Sequence, residues 1–124
     1  MTQWVANSPD RANAFILANA GFDVWMGNNR GSKYSLGHAK LSTNDLEYWE
    51  FYQEEMGTID VPTFIDFILD QTGLQKLTYV GHSEGTTQMF IGTSMLPEYY
   101  KETVNLYVAL APVTNLQSYR VPGA

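Results

Sequence analysis

The chain contains no cysteine, so disulfides and thiolate chemistry are both closed to it, although this identifies no compartment. Positive charge is scarce. Seven Lys and Arg stand against thirteen Asp and Glu, for a net charge of −6. That leaves no basic patch to neutralise phosphates and argues against nucleic acid as a partner. Histidine is limited to His38 and His82, with no companion at metal-ligand spacing, so neither a metal nor a cofactor is expected. No apolar run approaches the roughly 20 residues of a membrane span. The opening Met1-Thr2-Gln3-Trp4 lacks the basic and apolar regions of a secretory signal. Repeats and low-complexity segments are missing, and no partner protein can be identified.

What is present suits a packed core. The 124 residues are 44% hydrophobic and 14% aromatic, enough for one domain or part of one. Helix and strand patterns alternate. Asn7 or Ser8 is placed to cap a first helix with Pro9 in its first turn, a buried stripe at Ala12, Phe15 and Ile16, and a stop at Gly21. Residues 22–26 read as a short apolar strand, followed by the turn cluster Gly27-Asn28-Asn29-Arg30-Gly31 and an irregular stretch over 32–42. Asn44 or Asp45 opens a second helix through Glu55. Asp60 caps a third, with Pro62 in its first turn; Val61, Phe64, Ile65 and Ile68 follow helical spacing, and Gly73 closes it. Strands are expected at 76–80 and 105–110, with a helix over 84–96 ended by Pro97. The continuous apolar character of 105–110 predicts a parallel strand covered on both faces. The fold class is α/β with a parallel sheet.

The most informative residues are Gly81-His82-Ser83-Glu84-Gly85, between the strand pattern Leu77-Thr78-Tyr79-Val80 and a helix-compatible run from Thr86. Strand, G-x-S-x-G and helix in that order form a nucleophile elbow, a sharp turn that lifts a serine hydroxyl above the carboxyl end of a sheet. Gly81 and Gly85 are expected there because strand and helix pass too closely for side chains on either side. Ser83 is the candidate nucleophile, and the backbone N–H of Glu84 is a candidate oxyanion donor. His82 points away from the hydroxyl and is expected to pack. His38 is expected at the surface. Glu47, Glu50 and Glu54 share one helical face and read as a solvated acidic surface. Asn28, Asn29 and Arg30 read as a structural loop, and Trp4, Trp25 and Trp49 as packing residues.

Three stretches carry a resemblance to a known family: LANAGFDVWMGNNRG at 17–31, TIDVPTFIDFILDQTG at 58–73 and LTYVGHSEGTTQMF at 77–90, supported by ALAPV at 109–113. The chain resembles the acid lipases of the α/β-hydrolase fold, the gastric and lysosomal acid lipase type, over roughly residues 4–116. The resemblance implies a partial α/β-hydrolase core of three mainly parallel strands with flanking helices. It implies a lipase or carboxylic ester hydrolase acting on neutral lipids, triacylglycerol or sterol ester, at a lipid–water interface, in a lysosomal or secreted setting. It also implies that the chain is an internal piece of a single hydrolase domain, with a cap insertion starting at 113–124.

A serine hydroxyl needs an imidazole to take its proton and a carboxylate to orient that imidazole, following in the order Ser, Asp or Glu, His. Neither Asp nor His follows Ser83. The chain alone is therefore expected to be inert. By the same resemblance, the strand that would separate 22–26 from 76–80 lies outside the chain. The second and third strands are expected to pair directly, leaving 22–26 without its neighbour and raw backbone edges that invite aggregation. Glu84 departs from the glutamine common in these lipases. A carboxylate suits the first turn of a helix, yet beside a developing oxyanion it works against the charge unless protonated, biasing activity to low pH. Two further readings stand beside ester hydrolysis: acyl transfer on the same elbow, and a non-catalytic fragment or pseudoenzyme.

Overall fold

The computed structural model describes residues 2–115, in two units that meet in sequence between Leu36 and Gly37. In the first, the segment Ser8-Pro9-Asp10-Arg11 has turn chemistry as well as helix-start chemistry, because Ser at the first position and Pro at the second favour a type I turn. The turn wins. The Ser8 carbonyl accepts from the N–H groups of Arg11 and Ala12, both at 2.9 Å. Ala12 is extended, with φ −79° and ψ 125°, and helix α1 begins only at Asn13 and runs Asn13–Asn19. The expected cap at Asn7 or Ser8 thus belongs to a separate turn.

Gly21 stops α1 as expected, at φ 92°. The Gly21 N–H reaches the Ala18 carbonyl at 3.0 Å and the Phe22 N–H the Leu17 carbonyl at 3.1 Å. This is the paired bonding of a Schellman motif, which needs the left-handed conformation that glycine adopts without steric cost. The predicted stripe is only partly buried. Ala12 and Ala14 are inside, whereas Phe15 and Ile16 remain exposed. Residues 22–26 join no ladder among the described residues, and Phe22, Trp25 and Met26 are exposed. In the turn that follows, Gly31 rather than either asparagine takes the positive φ.

The second unit holds the core. Leu46–Trp49 is a short 3-10 turn, and the chain straightens at Glu50 before helix α2, Gln53–Glu55. Glu47, Glu50 and Glu54 therefore do not share a helical face, although all three are exposed as expected. The Tyr52 N–H donates to the Glu55 carboxylate at 2.8 Å, which closes the start of α2. The predicted boundary at Asp60 does not exist. Helix α2 runs through a π-helical turn, Met56–Asp60, into α3, Val61–Thr72, and Asp60 is helical and makes no capping bond with its side chain. Pro62 explains the wide turn. It brings no N–H to the preceding turn and crowds it, and a wider register accommodates the ring inside a continuous helix. Gly73 ends α3 at φ 70°, its N–H bonded to the Leu69 carbonyl at 2.9 Å.

Strands β1, Leu77–His82, and β2, Val104–Leu110, pair in parallel, joined by helices α4, Glu84–Met95, and α5, Pro97–Thr103. Leu77 pairs with Val104 and Thr78 with Leu106, so Asn105 is an extra residue, fixed by the Thr78 hydroxyl on its side-chain oxygen at 3.0 Å. From there the register is regular to His82 opposite Leu110. The α/β class holds, with two strands in the sheet where three were expected. The direct pairing of 76–80 with 105–110 is found. A strand at 22–26 is not, and β1 keeps an edge unpaired among the described residues. Nor is β2 covered on both faces; none of its residues is fully buried and Leu106 is 56% exposed.

The core is Val61, Ile65, Met89 and Tyr100, with Leu69, Leu77, Tyr79, Leu96, Tyr99, Val104 and Tyr107 packed against it. At the α4 crossing, Gly57 in the π-helical turn faces Gly92. A Cβ on Gly57 would lie 2.5 Å from the Gln88 carbonyl oxygen, and one on Gly92 would lie 2.6 Å from the Gly57 carbonyl oxygen. The Tyr100 hydroxyl fills the remaining space and donates to the Gly57 carbonyl at 2.6 Å. Burial pushes the Tyr79 and Tyr100 phenols well above the usual tyrosine range, reinforced by Tyr107 at the first and by Tyr79 at the second. None of the three tryptophans is a fully buried core residue. Trp4 is half-buried, and Trp25 and Trp49 are exposed, with their indole N–H groups on the Asp23 carboxylate and the Thr43 carbonyl.

Candidate active site

Ser83 is the single residue between β1 and α4, at φ 52° and ψ −115°. That region is hostile to any residue with a Cβ, and strain of this kind costs about 1–3 kcal/mol unless the surroundings impose it. Here they do. The Ser83 N–H prolongs the ladder to the Leu110 carbonyl at 3.0 Å, while its own carbonyl accepts the Thr86 N–H at 2.9 Å and the Thr86 hydroxyl at 2.5 Å. Held from both sides, the residue presents an exposed side chain at the carboxyl ends of the paired strands.

The two glycines of the motif are not equivalent. A Cβ on Gly81 would lie 2.8 Å from the Gly85 carbonyl oxygen, 2.9 Å from its carbon and 3.0 Å from the Tyr79 ring, which no backbone-bound neighbour can relieve. A Cβ on Gly85 would meet only the Tyr79 hydroxyl, at 3.6 Å. The steric requirement expected at both positions therefore falls on Gly81. Gly85 acts through its backbone, its carbonyl accepting from the Tyr79 hydroxyl at 3.1 Å.

Glu84 is the first residue of α4, where N–H groups have no acceptor within the helix and a carboxylate is favoured by the helix dipole. Its side chain is exposed. His82 is half-buried in β1 and pairs with Leu110 across the ladder. His38 is a turn residue. Its Nδ1 accepts from the N–H groups of Lys40 and Leu41 at 3.1 and 2.8 Å, and its ring lies edge-on to Tyr48 at 5.9 Å. No group of three His, Cys, Asp or Glu suited to a metal occurs among the described residues.

Sequence reasoning missed Thr86. It is fully buried, and its hydroxyl bonds both to the Ser83 carbonyl and to the Val113 N–H, at 3.0 Å. A threonine three residues past Ser83, just inside a helix, was the available signal, since such hydroxyls bond to nearby backbone.

An exposed serine at positive φ between a parallel strand and a helix is the arrangement of a nucleophile elbow. Residues 3–119 match the alpha/beta hydrolase fold family, and the chain belongs to that family. Within it the similarity is to lipases. The chain is 45% identical over 122 residues to "Lipase member M" of Homo sapiens, covering 98% of this chain and 29% of that protein. It is 46% identical over 115 residues to "Lysosomal acid lipase/cholesteryl ester hydrolase" of Homo sapiens, covering 93% of this chain and 29% of that protein. With "Gastric triacylglycerol lipase" of Mus musculus it shares 45% identity over 121 residues, 98% of this chain and 30% of that protein. The chain thus spans less than a third of the length of these relatives.

Proposed function

We propose that Ser83 is the nucleophile of a serine ester hydrolase acting on neutral-lipid esters, and that this chain is one segment of a single hydrolase domain. The reading is carried by the strained, exposed Ser83 between β1 and α4. The hydroxyl oxygen attacks the ester carbonyl carbon and its proton passes to an imidazole. The carbonyl oxygen becomes an oxyanion, to which the Glu84 N–H donates. The carbon–oxygen bond to the alcohol then breaks, the alcohol leaves with the proton, and water hydrolyses the acyl-serine.

The carboxylate and imidazole of the triad come from other parts of the intact polypeptide, so this chain by itself is inert. Triacylglycerol and sterol esters are the substrates, as in the names of the gastric and lysosomal relatives. The lysosomal and gastric names of these relatives support a lysosomal or secreted setting, and water-insoluble esters of this class react at a lipid–water interface. The cap start proposed at 113–124 lies outside the described residues except for 113–115. Among the described residues no helix is long and apolar enough to cross a membrane.

The test is ester hydrolysis by the intact polypeptide before and after Ser83→Ala. Loss of a nucleophile from a working triad costs on the order of 10⁴- to 10⁶-fold in kcat. A Ser83→Ala variant that keeps wild-type turnover would remove the proposal.

A further inference from the structure

Thr86 does more than cap a turn. Its hydroxyl works in both directions, donating to the Ser83 carbonyl and accepting the Val113 N–H. Its own carbonyl accepts from the Tyr107 hydroxyl at 3.1 Å. The next residue, Thr87, donates its hydroxyl to the Val113 carbonyl at 2.9 Å. Two successive threonines of α4 therefore hold both backbone polar groups of Val113. Between β2 and that grip lie Ala111 and Pro112.

Ala111 has φ 49° and is, with Ser83, one of two non-glycine residues at positive φ among the described residues. The two outliers are neighbours: the Ser83 N–H bonds to the Leu110 carbonyl, and Ala111 follows Leu110. An alanine ahead of a proline has no local reason to be left-handed. Such a conformation persists only where the surroundings impose it, and outliers of this kind collect at reacting centres. The grip on Val113 lies two residues beyond it.

We propose that Thr86 is a positioning residue for the reaction at Ser83. Its hydroxyl joins the carbonyl of the nucleophilic residue to the segment 111–113, so that the elbow and the exit from β2 hold one geometry. This rests on reading Ser83 as the nucleophile. The joint needs a group that donates and accepts at once. Serine keeps both functions, whereas valine keeps the shape and has neither. With the joint cut, Ser83 keeps its strand bond to Leu110, but only the Thr87 hydroxyl still ties Val113 to the first turn of α4.

The experiment compares Thr86→Val, Thr86→Ser, Thr87→Val and Ser83→Ala in the intact polypeptide, using a soluble short-chain ester and amide exchange at Val113. For Thr86→Val, kcat is expected to fall about 10- to 100-fold with KM within about twofold, and Val113 exchange to rise about tenfold. Thr86→Ser restores kcat to within about threefold of wild type, because both bonds can re-form. Thr87→Val severs only the Val113 carbonyl bond. It raises exchange and lowers kcat by about threefold, which keeps the test open should Thr86→Val not fold. Wild-type kcat in Thr86→Val, or in Thr87→Val with raised exchange, overturns the proposal while Ser83→Ala stays inactive. A Thr86→Ser variant as impaired as Thr86→Val overturns it too, by moving the effect to the methyl group. Full activity in Ser83→Ala instead removes the nucleophile reading, and this proposal with it.

Discussion

Two segments of this chain carry nearly the same local instructions and end in different states. Residues 22–31 and 77–85 each begin with a short apolar run and end in a turn bounded by glycines. The second becomes β1 and a strained elbow; the first forms no strand, and Phe22, Trp25 and Met26 are exposed. The difference lies in what stands beside them. For 77–82 the chain supplies β2 as a ladder partner and α4 as a cover, and Ser83 is fastened to Leu110 and Thr86. For 22–26 it supplies no ladder partner among the described residues. Strand formation is a property of the pair, because unpaired backbone groups gain nothing over water.

The largest effect expected from this contrast is in amide exchange. Amides of 77–82 should exchange about 100-fold or more slowly than those of 22–26 in the isolated chain, because only the former sit in a ladder beside the core. Strong protection across 22–26 in a soluble monomer would break the comparison. Next is Gly81→Ala, which places a methyl group against the Gly85 backbone. It should lower unfolding free energy by about 2–3 kcal/mol in denaturant titration. A loss below about 0.5 kcal/mol would show that strand and helix are free to separate there.

Alkaline pH acts on the second unit through phenols that burial raises, Tyr79 and Tyr100 among them. A phenol whose folded pKa lies above its unfolded value near 10 stabilises fully below that value, and the contribution is lost as pH rises toward the folded pKa. The thermal midpoint should therefore hold to about pH 10 and drop above it, with phenolate absorbance appearing together with unfolding. Normal titration of both phenols in the folded chain would contradict their burial. Ser83→Gly removes strain at φ 52° and should raise stability by about 1 kcal/mol while removing the hydroxyl. Gly85→Ala should change least. Its Cβ meets ordinary contacts, and the helix-propensity gain of up to about 1 kcal/mol favours alanine. Equal damage from Gly81→Ala and Gly85→Ala would restore the symmetric view of the motif.

Much of the second unit was legible from residue order. The stop at Gly73, the elbow and the helix behind it rest on local chemistry that the structure keeps, as does the stop at Gly21 in the first unit, whereas the direct pairing of the two strands was implied by the family resemblance. The misreadings have particular causes. Ser8-Pro9 obeys turn rules as well as cap rules, and only the extended Ala12 decides between them. Asp60-Val61-Pro62 looks like a helix start, yet a π-helical turn lets the helix pass through the proline. The pairing of Gly57 with Gly92 and the Thr86–Val113 joint were invisible, because each depends on elements more than twenty residues apart in sequence. Gly81 and Gly85 look identical on paper and differ only in which backbone lies behind each.

The most direct test is fluorophosphonate labelling mapped by peptide sequencing, run on the intact polypeptide and on this 124-residue chain in parallel. Modification at Ser83 in the intact polypeptide, with none in the chain alone, is the pair of results that the proposed function predicts. Modification at a different serine in the intact polypeptide, with Ser83 unmodified, would contradict the assignment of the nucleophile.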